Sequence, residues 1–230
     1  MRLVFFVEGQ TEQEYVARVL APHLARFGVY ADRPTLPITG RKRGKTFKGG
    51  GDRFAGRPRT HFENLLKEHT GDGVRFTTMF DLYGLYPDFP GTDEAAQHAA
   101  DPYQRVAVLE AAFAAEFGDP QVIPHIQLHE FETLLFCDPG LSAYLLDDTA
   151  DAVAAWRAAA AGGPELVNDV PATSPSHRIK AFVPDFDRLK TTVGVEWAEA
   201  VGLAPARALC KHFDAWITTL ESLGTPPATA

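Results

Sequence analysis

The sequence predicts an α/β fold with a mainly parallel central sheet, helices on both faces and a helical C-terminal extension. Apolar segments rich in β-branched and aromatic residues alternate along the chain with segments of helical periodicity. This alternation is typical of a doubly wound sheet, in which right-handed crossovers align the carboxyl ends of the parallel strands along one edge. The four predicted strands cover residues 3–7, 35–39, 74–80 and 122–128, and Pro37 marks the second as an edge strand.

The first strand predicts a ligand-binding position directly after it. Residues 3–7 carry no charge, and Glu8 and Gly9 follow at once. Thr11, with Glu14 three residues later, indicates the capping box of a helix. Glu8 therefore lies where open α/β sheets bind ligands, and Gly9 allows the close approach of a phosphate or a metal ion. A purely structural alternative is that Glu8 complements the dipole of that helix.

Two later strands also deliver carboxylates at their carboxyl ends. Asp81 follows the third strand, and Glu130 and Glu132 follow the fourth. Because parallel strands end at the same edge of the sheet, we expect these three acids to lie near Glu8. For Asp81 taken alone, a role as a cap or as a solvated loop residue fits the pattern equally well.

A basic segment interrupts an otherwise acidic chain. The net charge is −8, yet residues 40–59 contain eight lysines or arginines and a single acid. The six glycines of this segment predict a loop that packs no core, and its charge is typical of contact with a polyanion. A phosphate-binding P-loop is rejected because the spacing is one residue short and no apolar helix follows. The residues expected to contact nucleic acid here are Arg41, Lys42, Arg43, Lys45, Lys48 and Arg53.

The rest of the chain predicts packing helices. Helices are expected over residues 60–69 and 102–117, and a closing amphipathic helix over residues 204–223 is expected to bury Leu209. The predicted domain boundaries are a catalytic core at 1–138, a mostly helical extension packed on it at 139–224, and a disordered tail at 225–230.

Composition predicts a cytoplasmic protein that does not enter a membrane. The sequence has no apolar run of about 18 residues, and its apolar start ends too early for a signal peptide. Cys137 and Cys210 lie far apart in the sequence and indicate neither a disulfide framework nor a zinc knuckle.

The predicted group of carboxylates points to a divalent metal ion. Carboxylates brought together repel one another unless protons or cations lie between them. Mg²⁺, or Mn²⁺ in its place, accepts oxygen ligands, and two such ions can activate water and stabilise the leaving oxygen in phosphodiester cleavage. We expect Glu8 and Asp81 to be the primary ligands, with the two glutamates after the fourth strand completing the shell. Lys190 and Arg178 are candidates to contact phosphate and steady developing negative charge.

The histidines near the fourth strand do not form a zinc-protease motif. His129 and Glu130 are followed by Thr133 where H-E-x-x-H requires a second histidine. His125 lies four residues before His129, but on a strand this spacing is not that of a helical face. His129 is expected to be a supporting or core residue.

Four short motifs resemble those of one protein family. VEGQTE, FDLYGL, HEFETLLF and SPSHRI, which begin at Val7, Phe80, His129 and Ser174, are similar to motifs of the bacterial domain-of-unknown-function family DUF4276 in the Toprim superfamily. The Toprim fold is shared by topoisomerases, DnaG-type primases and nucleases of the OLD class. The resemblance implies metal-binding acids after the strands, and action with an ABC-type ATPase in phage or mobile-element defence.

The sequence departs from the Toprim pattern at one acid. That pattern places a glutamate and a glycine after the first strand and D-x-D after a later one. Glu8-Gly9 matches the first part, whereas Asp81-Leu82-Tyr83 supplies only the first acid of the second. The number of metal ions is therefore left open, and a glutamate after the fourth strand is a candidate for the missing ligand.

We predict a Mg²⁺- or Mn²⁺-dependent nuclease that cleaves phosphodiester bonds of DNA or RNA. The incomplete D-x-D favours an alternative, a non-catalytic Toprim-like module that binds nucleic acid or an ATPase partner. A third interpretation is a metal-dependent phosphotransferase or phosphohydrolase acting on a small substrate. The sequence leaves open whether the protein forms a homodimer and whether its activity needs a partner.

Overall fold

The chain folds around a parallel sheet. The computed structural model describes residues 1–42, 45–48, 53–147, 150–168, 170 and 172–224. The strands in these ranges are β1 (Arg2–Val7), β2 (Tyr30–Ala31), β3 (Ile38–Lys42), β4 (Lys45–Lys48), β5 (Val74–Asp81), β6 (Val122–Ile123) and β7 (Ile126–Gln127).

Helices make up most of the remaining described chain. The α-helices are α1 (Gln10–Tyr15), α2 (Ala21–Ala25), α3 (Arg57–Glu68), α4 (Thr92–Ala95), α5 (Pro102–Phe117), α6 (Ala150–Ala159), α7 (Pro175–Lys180), α8 (Phe186–Leu189), α9 (Val195–Val201), α10 (Leu203–Leu209) and α11 (Lys211–Ser222). Between them lie π-helical turns at Val16–Leu20 and Lys190–Gly194 and 3-10 turns at Ala96–His98, Phe131–Cys137, Pro139–Tyr144 and Pro164–Leu166.

The topology confirms the predicted mainly parallel α/β fold with a helical C-terminal part. Strands β2, β1, β5 and β6 lie side by side in that order, and β7 pairs with β5. Each of these pairings is parallel. β1 and β5 pair over six residues, so both strands end at the same edge of the sheet.

The central strand β1 is buried on both faces because its side chains alternate between two cores. Leu3, Phe5 and Val7 pack into one cluster with residues of α9 and α11. Val4 and Phe6 pack into a second cluster with residues of α3 and α5. All five side chains are at most 2% exposed, which explains why the strand is an uncharged run with no polar alternation.

The basic segment at residues 40–59 is not the irregular loop that its composition predicts. β3 and β4 form an antiparallel hairpin whose backbone includes Arg41, Lys42, Lys45 and Lys48. Inter-strand hydrogen bonds satisfy the backbone without a packed core, so a polar segment can form such a hairpin. The last residues of the segment belong to α3, and Arg43 lies outside the described residues.

Phe54 shows that this segment also contributes to the core. Its side chain is 1% exposed, and its ring contacts those of Phe89 and Phe113. The backbone N–H groups of Phe54 and Ala55 donate to the carboxylate of Asp88, at 2.6 and 3.2 Å. The prediction that this segment packs no core is therefore wrong at Phe54. It was based on the average composition of the segment, which does not reveal one buried aromatic residue among glycines and charged residues.

Two predicted helix starts are displaced. The first helix begins at Gln10 with Gly9 as its N-cap, two residues before the predicted cap Thr11. Helix α3 begins at Arg57, ahead of the predicted cap Thr60, because proline at its second position suits a first turn.

Three other sequence expectations are corrected by local backbone geometry. The predicted strand 122–128 is divided into β6 and β7 around Pro124, which has no N–H to donate to a ladder. The predicted closing helix is broken at Cys210, and Leu209 is 49% exposed instead of buried. Ser174 caps α7 in a stretch expected to be a loop, its Oγ accepting from His177 N. The tail 225–230 lies outside the described residues.

Candidate metal centre of buried carboxylates

Five carboxylates from separate parts of the chain converge at the carboxyl edge of the sheet. Asp81, the last residue of β5, interacts electrostatically with all four of the other acids. The group contains every acid that the sequence predicts as a site residue, together with Lys190 and one further acid. We call it the acidic cluster, and its members are Glu8, Glu12, Asp81, Glu130, Glu132 and Lys190.

Glu8 and Asp81 are brought together by the pairing of β1 with β5. The backbone N–H of Glu8 donates to Met79 O at 3.1 Å, which continues the ladder by one residue. The backbone N–H of Asp81 donates to Glu8 Oε2 at 2.9 Å. Gly84, in the turn after β5, lies against the same carboxylate, and a Cβ there would be 2.5 Å from Glu8 Oε1. A larger residue at this position would therefore displace the Glu8 carboxylate.

Glu12 reaches the cluster from the first turn of α1. Its Oε2 accepts a hydrogen bond from Gly9 N at 2.7 Å, so the carboxylate caps its own helix. Burial and then the charge of Glu8 raise the pKa of Glu12 to about 8. The helix start therefore holds a carboxyl group that carries a proton near neutral pH.

Glu130 is held by the start of α7. Its Oε2 accepts from Ser176 N at 2.7 Å, and its Oε1 accepts from Ser176 Oγ at 2.9 Å. The preceding residue, His129, has a φ of 64°, a left-handed conformation that is uncommon for residues other than glycine. His129 is buried, and its Nε2 lies 2.9 Å from Glu165 O, which agrees with the expected core role. The strained turn directs Glu130 toward α7.

Lys190 brings a positive charge to the cluster. Its Nζ lies 2.9 Å from Glu132 Oε1, and Glu132 is 2% exposed. Burial opposes the ammonium charge, but the attraction of Glu132 outweighs it and raises the pKa of Lys190. The lysine is therefore charged and neutralises one of the carboxylates.

The cluster carries more negative charge than its single lysine balances. Burial, followed by the charges of Glu8 and Glu12, raises the pKa of Asp81 well above its ordinary value. Burial also raises the pKa of Glu8, with Glu132 adding to the effect against the hydrogen bond from Asp81 N. The buried Asp81 Oδ1 has no hydrogen-bond partner within the described residues. Such a group of acids either holds protons or binds cations.

Arg178 and Arg53, two of the predicted contact residues, have other partners than the acidic cluster. Arg178 is on α7, where its Nε donates to Thr173 O at 2.8 Å. Arg53 has a side chain that is 80% exposed, and its Nε lies 3.6 Å from Asp88 Oδ2. The hairpin lysines and Arg41 are described by their backbone alone. Contact of these side chains with nucleic acid stays a prediction.

Glu12 is the member of the acidic cluster that the sequence analysis missed. With the predicted cap at Thr11, Glu12 would be the first residue of the helix and not its third. With Gly9 as the cap, Glu12 becomes the third helical residue, where a glutamate turns back to the cap N–H. The spacing Gly9-x-x-Glu12 was the available signal.

The fold and this edge define an α/β protein with a candidate divalent-metal centre. The chain belongs to the family described as Domain of unknown function (DUF4276), which matches residues 7–221. The family membership predicted from four motifs is thereby confirmed. None of the curated proteins matches the chain.

Two solved structures of OLD proteins are similar to this chain. The C-terminal region of the Burkholderia pseudomallei OLD protein is 15% identical, with a TM-score of 0.42, and the match covers 96% of this chain and 98% of that one. The C-terminal region of the Xanthomonas campestris pv. campestris OLD protein is 14% identical, with a TM-score of 0.34, and the match covers 94% of this chain and 96% of that one.

Membrane insertion by a helix finds no support in the described residues. None of their helices combines the length and the apolar character needed to cross a bilayer.

Substitution of Gly84 tests the geometry of the cluster. The Cβ of Gly84→Ala would displace the Glu8 carboxylate, so we expect Mn²⁺ binding to weaken by about tenfold or more, measured by titration calorimetry. Gly73→Ala is the matched control, because no atom lies within 4 Å of its Cβ. Binding by Gly84→Ala equal to that of the wild type would contradict the assignment.

The raised pKa of Glu12 predicts the pH dependence of stability in the metal-free protein. Between the ordinary value of 4.5 and about 8, the folded state binds more protons than the unfolded state. The free energy of unfolding therefore falls as pH rises through this window. Chemical denaturation in EDTA should show a shallower fall for Glu12→Gln, and Glu14→Gln, an exposed neighbour, should behave as the wild type. Equal slopes for wild type and Glu12→Gln would disprove the prediction.

Proposed function

We propose that this protein is a divalent-cation-dependent nuclease that cleaves phosphodiester bonds in nucleic acid. The observation that carries the proposal is the acidic cluster, in which strand ends, a helix start and a later helical turn meet around a partly buried lysine. Burying several acids side by side costs free energy of folding, because like charges repel one another unless a ligand compensates them. Packing alone does not explain such an arrangement.

The chemistry of the cluster fits Mg²⁺ or Mn²⁺. Its donors are all carboxylate oxygens, which hard divalent cations prefer. Asp81 Oδ1 is buried without a hydrogen-bond partner among the described residues, so it is available as a ligand. Burial and the charges of neighbouring acids raise the pKa of Glu8 and Asp81, and a bound divalent cation would favour the charged form of both groups.

Glu8 and Asp81 are the residues that we assign to hold the cation. Glu130 and Glu132 complete the shell or orient water, although each already has a partner in Ser176 or Lys190. A bound divalent ion supplies Lewis-acid activation of water and neutralises charge on a phosphate. Glu12 holds a proton close to Glu8 when no cation is present, which lowers the repulsion within the cluster.

Lys190 is the candidate for stabilising the charge that develops on the phosphate. Its ammonium group is partly buried and is held at 2.9 Å from Glu132 Oε1. A cation that is already held in place does not have to move when negative charge develops nearby. It therefore stabilises the transition state more than a mobile cation would. Glu132 is then a positioning residue for the lysine as well as a candidate ligand.

The basic segment is the candidate nucleic-acid contact. Its hairpin presents Arg41, Lys42, Lys45 and Lys48 along a short stretch of backbone. Lysines and arginines neutralise backbone phosphates, and such contacts carry no sequence information by themselves. Arg178 and Arg53 are assigned to the same surface from the sequence. The family resemblance adds an ABC-type ATPase as a proposed partner in defence against phages or mobile elements.

One observation favours a second candidate function, a module that binds nucleic acid or an ATPase without cleavage. Tyr83 occupies the position at which the Toprim pattern has its second aspartate, and its side chain is 44% exposed. A tyrosine cannot replace a carboxylate as a ligand for Mg²⁺ at neutral pH.

A cleavage assay separates these functions. The purified chain would be incubated with plasmid, single-stranded DNA, transfer RNA and a small phosphodiester, with Mg²⁺, Mn²⁺ or EDTA. We expect cation-dependent cleavage of a nucleic acid and a loss of about 100-fold or more in Glu8→Gln, Asp81→Asn and Lys190→Ala. Asp72→Asn, an exposed acid near the amino end of β5, is the matched control.

The negative outcomes are also informative. Cleavage of the small phosphodiester alone would favour a small-substrate enzyme. Tight cation binding at the cluster with no cleavage of any substrate, with and without an ATPase partner, would contradict the nuclease and favour the binding module.

The basic hairpin predicts salt-sensitive binding. Arg41→Glu with Lys45→Glu should weaken duplex binding and reduce the log–log salt slope by about 0.9 for each phosphate that the variant no longer neutralises. Fluorescence anisotropy at several salt concentrations measures both the affinity and the slope. Arg26→Glu, an exposed residue at the end of α2, should leave the slope unchanged. A slope that is the same in the hairpin variant would remove the hairpin from the interface.

A further inference from the structure

A second group of metal-ligating side chains lies outside the acidic cluster. Glu110 on α5, His125 between β6 and β7, and His212 on α11 each offer one ligand atom, and these atoms lie within 4.8 Å of one another. His212 Nε2 is 2.9 Å from Glu110 Oε1, and His125 Nδ1 is 3.8 Å from the same oxygen. Three distant parts of the sequence therefore converge on a single carboxylate oxygen.

An ion pair between Glu110 and His212 does not explain why His125 is buried beside them. Its ring is 1% exposed, and its Nδ1 has no hydrogen-bond partner among the described residues. Its Nε2 lies 3.4 Å from Gln127 Oε1, an acceptor, and the tautomer that donates to this oxygen leaves a lone pair on Nδ1. Glu110 Oε1 already accepts from Ile126 N at 2.7 Å, whereas the His125 lone pair has no proton to share with this oxygen. A cation between the two groups would give Nδ1 a partner.

The ring of His125 is also fixed in place. It stacks on Trp216 with ring centroids 4.0 Å apart and an angle of 5° between planes, and on its other side lies His212 at 4.9 Å. Trp216 is itself held by a hydrogen bond from its Nε1 to Thr77 Oγ1 at 2.8 Å. A histidine whose second nitrogen donates to an amide oxygen, and whose ring cannot turn, matches the usual support of a metal-binding imidazole.

The group opens to solvent on one side. Glu110 and His212 have side chains that are 17% and 18% exposed. A cleft of about 230 Å³ borders all three residues, together with Pro124, Ala215 and Thr219. The partial exposure of His212 and Glu110 lets a water molecule reach the group from the side of the cleft.

We propose that Glu110, His125 and His212 form a second metal site, which binds Zn²⁺ through two imidazoles and one carboxylate and leaves a fourth position open to the cleft. This donor set suits Zn²⁺ and related transition metals, whereas Mg²⁺ prefers the all-oxygen acidic cluster. The metal joins α11 of the C-terminal part to α5 and to the sheet. Binding takes the proton from the hydrogen bond between His212 and Glu110 and releases it to solvent.

Zn²⁺ titration in excess Mg²⁺ tests this site independently of the nuclease proposal. Competition with a chromophoric chelator should give one equivalent of Zn²⁺ for the wild type. Glu110→Gln and His212→Gln should weaken binding by more than the roughly 10- to 100-fold cost of losing a supporting residue. Glu8→Gln is the matched control from the acidic cluster and should bind Zn²⁺ as the wild type does.

Two measurements on the wild-type chain test the site even if a variant of one of its ligands does not fold. Zn²⁺ should shift the imidazole nitrogen resonances of His125 and His212, and should raise the melting temperature by about 5 °C or more at saturation. Unshifted resonances, or Zn²⁺ binding that is lost in Glu8→Gln but kept in folded Glu110→Gln, would overturn the proposal. Neither result depends on whether the protein cleaves nucleic acid.

Discussion

Repulsion between buried carboxylates at the ends of two paired strands is the constraint on which this structure depends. β1 and β5 run parallel over six residue pairs, so Glu8 and Asp81 arrive at one edge together. The hydrogen bond from Asp81 N to Glu8 Oε2 joins the two strand ends through one of the repelling groups. Gly84 lies against the Glu8 carboxylate, and Gly9 at the helix start donates to the neighbouring carboxylate of Glu12. The edge is thus built around negative charge that the protein itself does not balance.

The C-terminal part of the chain completes this edge. Lys190 supplies the positive charge beside Glu132, and Ser176 holds both oxygens of Glu130. Residues of the C-terminal helices also pack on the same face of the sheet as Phe5 and Val7. The predicted catalytic core at 1–138 therefore lacks two groups that organise its own acids, and the extension contributes to the site as well as to packing.

The parallel sheet and most residues of the acidic cluster could be predicted from the sequence, whereas contacts that arise from tertiary packing could not. The placement of Glu8, Asp81 and Glu130 at or just after the ends of strands could be recognised, because parallel pairing aligns strand ends whatever the helices between them do. Phe54 in the core and the hairpin of the basic segment could not, because local composition suggests a solvated loop there. The meeting of His125 with His212 was beyond sequence reasoning too, since tertiary packing of α11 creates it.

The most direct test of the central claim is the number of protons displaced when a divalent cation binds. Mn²⁺ titration calorimetry at neutral pH, repeated in buffers of different ionisation enthalpy, measures this number. Because burial and mutual repulsion raise the pKa of Glu8, Glu12 and Asp81, cation binding should release protons to the buffer. Mn²⁺ binding with no proton release, or no binding to the folded chain, would contradict the account.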